Sequence, residues 1–353
     1  MKIFGVLLLT LSAVTPASSV FVIIPGVIQQ AGSGAILSLL CAAAVSLCMA
    51  FVYAELASAW PLAGGEYAMA GRALGPFAGY VLMGANALAY TLVPPVLALG
   101  AATYLAVIWP GAPAVPIAIG TIAVGTVLGI LNIRLNAWVT GLFLLVEAIA
   151  LLVVAALGFT HMVRPIGEVL AHPVMAGVGG ALAPTPLIAV GVTTTVAIFA
   201  YNGYGAAVYF SEEMVGAPHR VARTIVLALL LTVAFEFIPT AAVLMGAPDL
   251  KQLMASANPF SDFVTQRGGR ALGIAVNLAV ALAILNAMIA ILLVNARFYY
   301  SSGRDRAWAG PINVALTRLH GRFGCSCRCL RSCPHAALWQ PRGRLRIDFR
   351  QRP

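Results

Sequence analysis

Long apolar runs, separated by short clusters of turn residues, dominate the pattern along this chain. No Asp, Glu, Lys or Arg occurs from Ile3 to Ala54 or from Ala73 to Ile133, so each run can hold two membrane-crossing helices of about 20 residues. Pro and Gly cluster near residues 25–34 and 109–113, where the two runs divide. The runs are too long and too uniformly apolar for the strands of a membrane barrel, so the pattern predicts α-helices.

Continued along the chain, this pattern predicts eight membrane spans. They lie near residues 3–28, 34–54, 76–108, 113–132, 136–160, 185–210, 221–246 and 271–297. A cytoplasmic connection is expected at 301–324. The first run also resembles a signal peptide, but the apolar sequence resumes at Val20 and continues through Val27, which favours a full span.

Composition supports this picture, since 9% of the 353 residues are charged, 61% are hydrophobic and the mean hydropathy is +0.95. Lys and Arg favour the cytoplasmic side of a membrane. With the N-terminus in the cytoplasm, eight basic residues would lie on the cytoplasmic side: Lys2, Arg72, Arg134, Arg220, Arg223, Arg297, Arg304 and Arg306. Only four would lie outside: Arg164, Lys251, Arg267 and Arg270. We therefore expect a multi-pass protein of the cytoplasmic (inner) membrane with its N-terminus in the cytoplasm.

The net charge of +10 is concentrated in the tail at 325–353, which holds seven Arg against one Asp. The membrane part is only mildly basic, so nucleic acid is not an expected partner. Four cysteines crowd into CSCRCLRSCPH, but their spacing departs from the usual zinc pattern. Translation out of frame is the alternative hypothesis for this Cys/Arg-rich segment, and neither a metal nor a cofactor is predicted.

Two spans carry polar or helix-breaking residues near their centres. In AVTPASSVFVIIPG (13–26), Pro16 removes a helical donor and crowds the preceding turn. In the sixth span, Asn202-Gly203-Tyr204-Gly205 interrupts an apolar helix. Interrupted helices at corresponding positions of two halves indicate a transporter of inverted repeats, with the substrate between them. A packed proline kink is the alternative for the first span.

The flanking sequence resembles the amino acid–polyamine–organocation superfamily of permeases. The resemblance rests on YAELASAWPLAGGEYAMAGRALGPFAGY (53–80) with its PLAGGEY core, on FAYNGYGAAVYFSEEM followed by HRVARTI, and on RFYYSSGRDRAW (297–308). It implies an all-α integral membrane fold of five-plus-five inverted repeats with helices 1 and 6 interrupted. It also implies secondary transport of amino acids or related amines, a small-molecule substrate in a lipid bilayer, with no enzyme activity.

The same resemblance implies which residues meet the substrate. On the first interrupted helix they are Thr15, Ala17, Ser18, Ser19 and Val20, where the family holds a substrate carboxylate. On the sixth span they are Phe199, Ala200, Tyr201, Asn202 and Gly203, which face the substrate amine. The alternative for these aromatic side chains is packing or contact with lipid.

Other polar residues lie inside the predicted spans. Asn86 and Tyr90 share one face of the third span, and Asn286 lies in the eighth, so each is a candidate for substrate contact or for bonding between helices. Glu147 and Glu236 lie in apolar runs, where a carboxyl group can carry a proton through a transport cycle. This favours proton coupling or exchange. Glu66 falls in a predicted cytoplasmic connection and is interpreted as a solvated loop charge, with an inner gate as the alternative.

The eight predicted spans would leave the second repeat incomplete, because helices nine and ten of the family pattern have no counterpart. Three functional hypotheses therefore stand: a permease, a nonfunctional fragment, and a membrane subunit that depends on a partner. A membrane enzyme is less favoured because the sequence contains no HExxH, GxSxG or phosphate-binding loop.

Overall fold

The fold is described from a computed structural model, for residues 3–61, 64–109, 111, 113–130, 133–177, 181–214, 217–305 and 307–308. The first half contains α1 (Ile3–Val14), α2 (Pro16–Ser18), a π-helical segment (Ser19–Ile23), α3 (Ile24–Ala31), a 3-10 turn (Gly32–Gly34), α4 (Ala35–Ala59), α5 (Glu66–Ala73), α6 (Pro76–Ile108), α7 (Ala114–Ile130) and α8 (Ile133–Thr160).

The second half begins with a short connection and then repeats the pattern of long helices. Its elements are α9 (Ile166–Ala171), β1 (Val174–Ala176), β2 (Leu182–Pro184), α10 (Leu187–Ala200), a 3-10 helix (Tyr204–Glu213), α11 (Ala217–Gly246), α12 (Leu250–Ala255) and α13 (Pro259–Arg304), which kinks at Gly269. The two strands pair antiparallel, with Val174 opposite Pro184 and Ala176 opposite Leu182.

Both interruptions predicted from the sequence are present, which confirms the all-α fold with interrupted helices 1 and 6. The first span is divided between α1 and the helical segments that begin at Pro16, and the sixth between α10 and the 3-10 helix that begins at Tyr204. Non-helical backbone at membrane depth is tolerated where protein buries it or where it lines a cavity. The first break meets this condition, since Thr15 and Ser18 are each only 3% exposed.

The two interrupted helices pack with the helix that follows each of them. The long helix α11 contacts α4, α8 and the 3-10 helix, while α10 contacts α3 and α4. The first helix, α1, contacts α8, α11 and the 3-10 helix. These contacts bring the two breaks together within the first unit of the chain, residues 1–297.

Large apolar side chains remain exposed on the outer helices, as a lipid-facing surface requires. On α6, Phe77 is 83% exposed and Leu88 is 62% exposed. Six helical stretches in the described parts of the chain are long and apolar enough to cross a membrane, within residues 4–59, 76–106, 140–160, 187–211, 219–246 and 259–304. The eight predicted spans and their limits stay a prediction.

From Phe298 onward the chain forms a second unit, of which residues 298–305 and 307–308 are described. Within it, the rings of Phe298 and Tyr299 lie 5.1 Å apart, and Trp308 Nε1 donates a hydrogen bond of 2.8 Å to Ser302 Oγ. The predicted Cys/Arg-rich tail at 325–353 lies outside the described residues, as does most of the predicted connection at 301–324.

Candidate functional site

The first break begins at Thr15, which has φ 49° and ψ 73° in the left-handed region. A β-branched residue adopts this conformation only when its surroundings enforce it. Pro16 then occupies the first position of the new helical segment, where its missing N–H costs nothing. The sequence thus stops one helix at Val14 and starts another at Pro16.

Hydrogen bonds with other helices support this break. The Ala17 N–H donates to Glu147 Oε1 of α8 at 2.7 Å, and Ser19 Oγ donates to the Ala200 carbonyl at 3.0 Å. The Tyr104 hydroxyl of α6 donates to the Phe21 carbonyl in the π-helical segment. The first break is therefore held by contacts between residues far apart in the sequence.

The second break is formed by a local turn. Gly203 has φ 119°, which L side chains rarely adopt, and the Asn202 side chain accepts the Gly203 N–H at 2.8 Å. A Cβ atom on Gly203 would lie 3.0 Å from Val14 Cα, so the two breaks touch. The two interrupted helices thus meet at one junction, and a substrate site there stays a prediction.

A cavity of about 380 Å³ opens at the junction of the two breaks. Residues of α6 and α13 complete its wall, which is largely apolar. The residues predicted to meet the substrate that line it are Thr15, Ser18, Ser19, Asn86, Tyr90, Phe199, Ala200, Asn202 and Gly203. The volume is in the range of small-molecule sites.

Four of the predicted residues lie outside the cavity lining. Ala17 contributes its N–H to Glu147 as described above, and Val20 and Tyr201 are completely buried. Asn286 is also completely buried, and its amide interacts with the Glu147 carboxyl group. Their substrate contacts stay a prediction.

The two predicted coupling residues lie close to one another behind the first break. Glu147 is 1% exposed and Glu236 of α11 is 0% exposed, and the two carboxyl groups interact electrostatically. The Asn286 amide interacts with Glu147, and the Ser19 hydroxyl interacts with Glu236. A carboxyl group buried in this way is costly to ionise unless a proton or a cation neutralises it.

The interpretation of Glu66 as a solvated loop charge is wrong. Its carboxylate lines the cavity and accepts hydrogen bonds from Asn86 Nδ2 at 2.7 Å and from the Tyr53 hydroxyl at 3.3 Å. Burial raises the pKa of the Glu66 carboxyl, while these hydrogen bonds oppose the rise. The signal available in the sequence was an acidic residue directly after two glycines, between two strongly apolar spans.

No group of three or more His, Cys, Asp and Glu side chains that could hold a metal is found among the residues with described positions. The polar groups that face the cavity are hydroxyls, amides, backbone atoms and one carboxylate. Such groups can bind a small polar molecule reversibly.

The fold is similar to that of Mhp1, a nucleobase-cation-symport-1 family transporter in a closed conformation with bromovinylhydantoin bound. That structure has a TM-score of 0.54 and 15% identity, covering 90% of this chain and 75% of the other. This likeness and the two interrupted helices together define an all-α membrane fold of the inverted-repeat class.

The chain belongs to the amino acid permease family, whose family model matches residues 2–309. It is 28% identical over 313 residues to uncharacterized transporters of Mycobacterium bovis and Mycobacterium tuberculosis. The alignment covers 87% of this chain and 65% of each relative, so the chain spans just under two thirds of the relatives' length. The family resemblance seen in the sequence is confirmed.

Proposed function

We propose that this chain is a secondary active permease that carries amino acids or related amines across the cytoplasmic membrane. The cavity shared by the two broken helices carries this proposal, since both breaks present polar side chains and backbone to one small space. The helical segment that begins at Pro16 directs the positive end of its dipole toward the break, which suits a carboxylate. The carbonyl ends of α1 and α10 suit an amine.

Uptake into proteoliposomes tests this function. The purified chain should give saturable uptake of at least one labelled compound from a panel of amino acids and polyamines. Protein-free liposomes are the control for leakage. Uptake no faster than in those liposomes, for every compound of the panel, would contradict the proposal.

We further propose that Glu147 and Glu236 carry the coupling proton. Their proximity and burial support a shared proton, and the bond from Ala17 to Glu147 links this pair to the first break. Protonation would weaken that bond, because a neutral carboxyl group is a weaker acceptor than a carboxylate. Substrate and proton would thereby act on the same stretch of backbone.

Glu236→Gln separates coupling from transport itself. The Gln side chain has nearly the same shape as Glu and keeps an oxygen that can accept from the Ser19 hydroxyl, so it should fit at this position. We expect the variant to lose accumulation driven by a proton gradient but to retain exchange of labelled for unlabelled substrate. Accumulation at the wild-type level would contradict the role of Glu236.

The proposed orientation places the N-terminus in the cytoplasm and the loop after α8 outside. Met162 in this loop is 50% exposed. A cysteine introduced by Met162→Cys should react with a membrane-impermeant maleimide added to intact cells, with the wild-type chain as control. Reaction only after permeabilisation would show the opposite orientation.

A further inference from the structure

Glu66 is the first residue of α5 and its carboxylate lines the cavity, and the backbone just before it is closely packed. The preceding residue, Gly65, has φ +65°, and a Cβ atom there would lie 2.4 Å from Tyr209 of the 3-10 helix. Only glycine permits so close an approach in this conformation. The start of α5 is thereby fixed against the 3-10 helix that follows the second break, with the Glu66 carboxylate at the cavity wall.

No described side chain compensates the charge of this carboxylate. Its described partners are the amide of Asn86 and the hydroxyls of Tyr53 and Tyr209, all neutral donors. The cavity lining contains no Lys, Arg or His, and the described part of the chain provides no cation that interacts with Glu66. A carboxylate has about four acceptor positions, so its oxygens keep capacity for a further donor.

We propose that Glu66 binds a cationic group of the transported molecule and so selects diamines and amino acids with a side-chain ammonium over neutral amino acids. The inference rests on the proposed function, because it assigns a substrate class to the same cavity. An ammonium group of the ligand would supply the positive charge that the described residues around Glu66 do not provide. Charge-assisted hydrogen bonds of this kind are about twice as strong as neutral ones.

Proton and ligand cation then compete for one carboxylate. The other groups that face Glu66 are Asn86 and four tyrosines, Tyr53, Tyr90, Tyr204 and Tyr209, which are neutral between pH 5 and 8. Because burial raises the pKa of Glu66, acidification protonates it at a higher pH than an exposed Glu. Affinity for a diamine should therefore rise with pH until Glu66 is ionised, whereas affinity for a neutral amino acid should not.

Ligand binding to the purified full chain in lipid nanodiscs, measured by calorimetry, tests the assignment. The probes are putrescine, lysine and leucine. Glu66→Gln should weaken the binding of putrescine and lysine by about tenfold or more and change that of leucine by less than about twofold. Glu55→Gln is the matched control, since Glu55 is exposed on α4 and lies outside the cavity, and it should change none of the three.

Equal losses for all three ligands, or no loss for any, would overturn the role of Glu66. If Glu66→Gln does not fold, the pH dependence of putrescine binding to the wild-type chain tests the inference. A putrescine affinity that does not rise between pH 5 and 8 overturns it. Binding of leucine with no preference for lysine or putrescine overturns the inference and leaves the proposed function intact. If none of the three ligands binds the wild-type chain and no compound is taken up in proteoliposomes, both the inference and the proposed function are overturned.

Discussion

At the first break the chain leaves helical geometry at Thr15, a β-branched residue with φ 49°, whereas at the second it turns at Gly203, with φ 119°. The first break depends on Glu147, 130 positions away from Ala17. The second depends on Asn202, the neighbour of Gly203. A break held by distant side chains can respond to what those side chains bind, while a break formed by a local turn keeps its geometry.

The comparison assigns different tasks to the two halves of the site. We expect the second break to be the rigid part of the site, because its conformation is set by two adjacent residues. We expect the first break to be the adjustable part, because a proton on Glu147 or a ligand at Ser18 would change the groups that hold it. The following substitutions test this difference in order of their expected effect on stability.

Gly203→Ala should have the largest effect. The new Cβ atom would adopt an unfavourable φ and lie 3.0 Å from the Val14 backbone, which together should cost about 3–4 kcal/mol. Thermal unfolding in detergent measures the loss. Gly191→Ala is the control, since Gly191 lies within α10 with open space around it, and it should be neutral or slightly stabilising. Equal melting temperatures for the two variants would mean that the second break is not rigid.

Glu147→Ala should have the next largest effect, about 2 kcal/mol, because it leaves the buried Ala17 N–H without its acceptor. Glu168→Ala is the control, since Glu168 is exposed on α9. Hydrogen exchange should show faster exchange at residues 15–23 in Glu147→Ala and no change at 201–204. Equal changes in both segments would contradict the separate support of the two breaks.

Ser19→Ala removes the hydrogen bond that joins the first break to the end of α10. The loss of this one neutral bond of 3.0 Å should cost about 1 kcal/mol. Thr195→Ala in α10 is the control, because Thr195 donates only to the carbonyl of Val192 in its own helix. A melting temperature lowered no further by Ser19→Ala than by Thr195→Ala would show that the bond between the breaks contributes no stability.

Local signals in the sequence were sufficient to predict the breaks but not what holds them. Proline restricts the backbone angles and glycine permits unusual ones in any sequence context. Both interruptions could therefore be inferred from Pro16 and Gly203 themselves. The bond from Ala17 to Glu147 joins two separate helices, and nothing near either residue indicates the other. Glu66 was assigned to a solvated connection for the same reason: its partners Asn86 and Tyr53 lie on other helices, and only the packing of those helices shows the carboxylate at the cavity.

Ser18→Ala should have the smallest effect on stability and a clear effect on function. The Ser18 hydroxyl lines the cavity, is nearly buried and has no hydrogen-bond partner among the described residues, so its removal breaks no bond within them. We expect a change in unfolding free energy below about 0.5 kcal/mol and a KM for uptake raised about tenfold, the cost of one lost ligand hydrogen bond. Wild-type KM with a lowered melting temperature would instead mean that Ser18 packs the break. If neither the KM nor the melting temperature changes, the Ser18 side chain does not contact the substrate. The first break would then bind the substrate through its backbone.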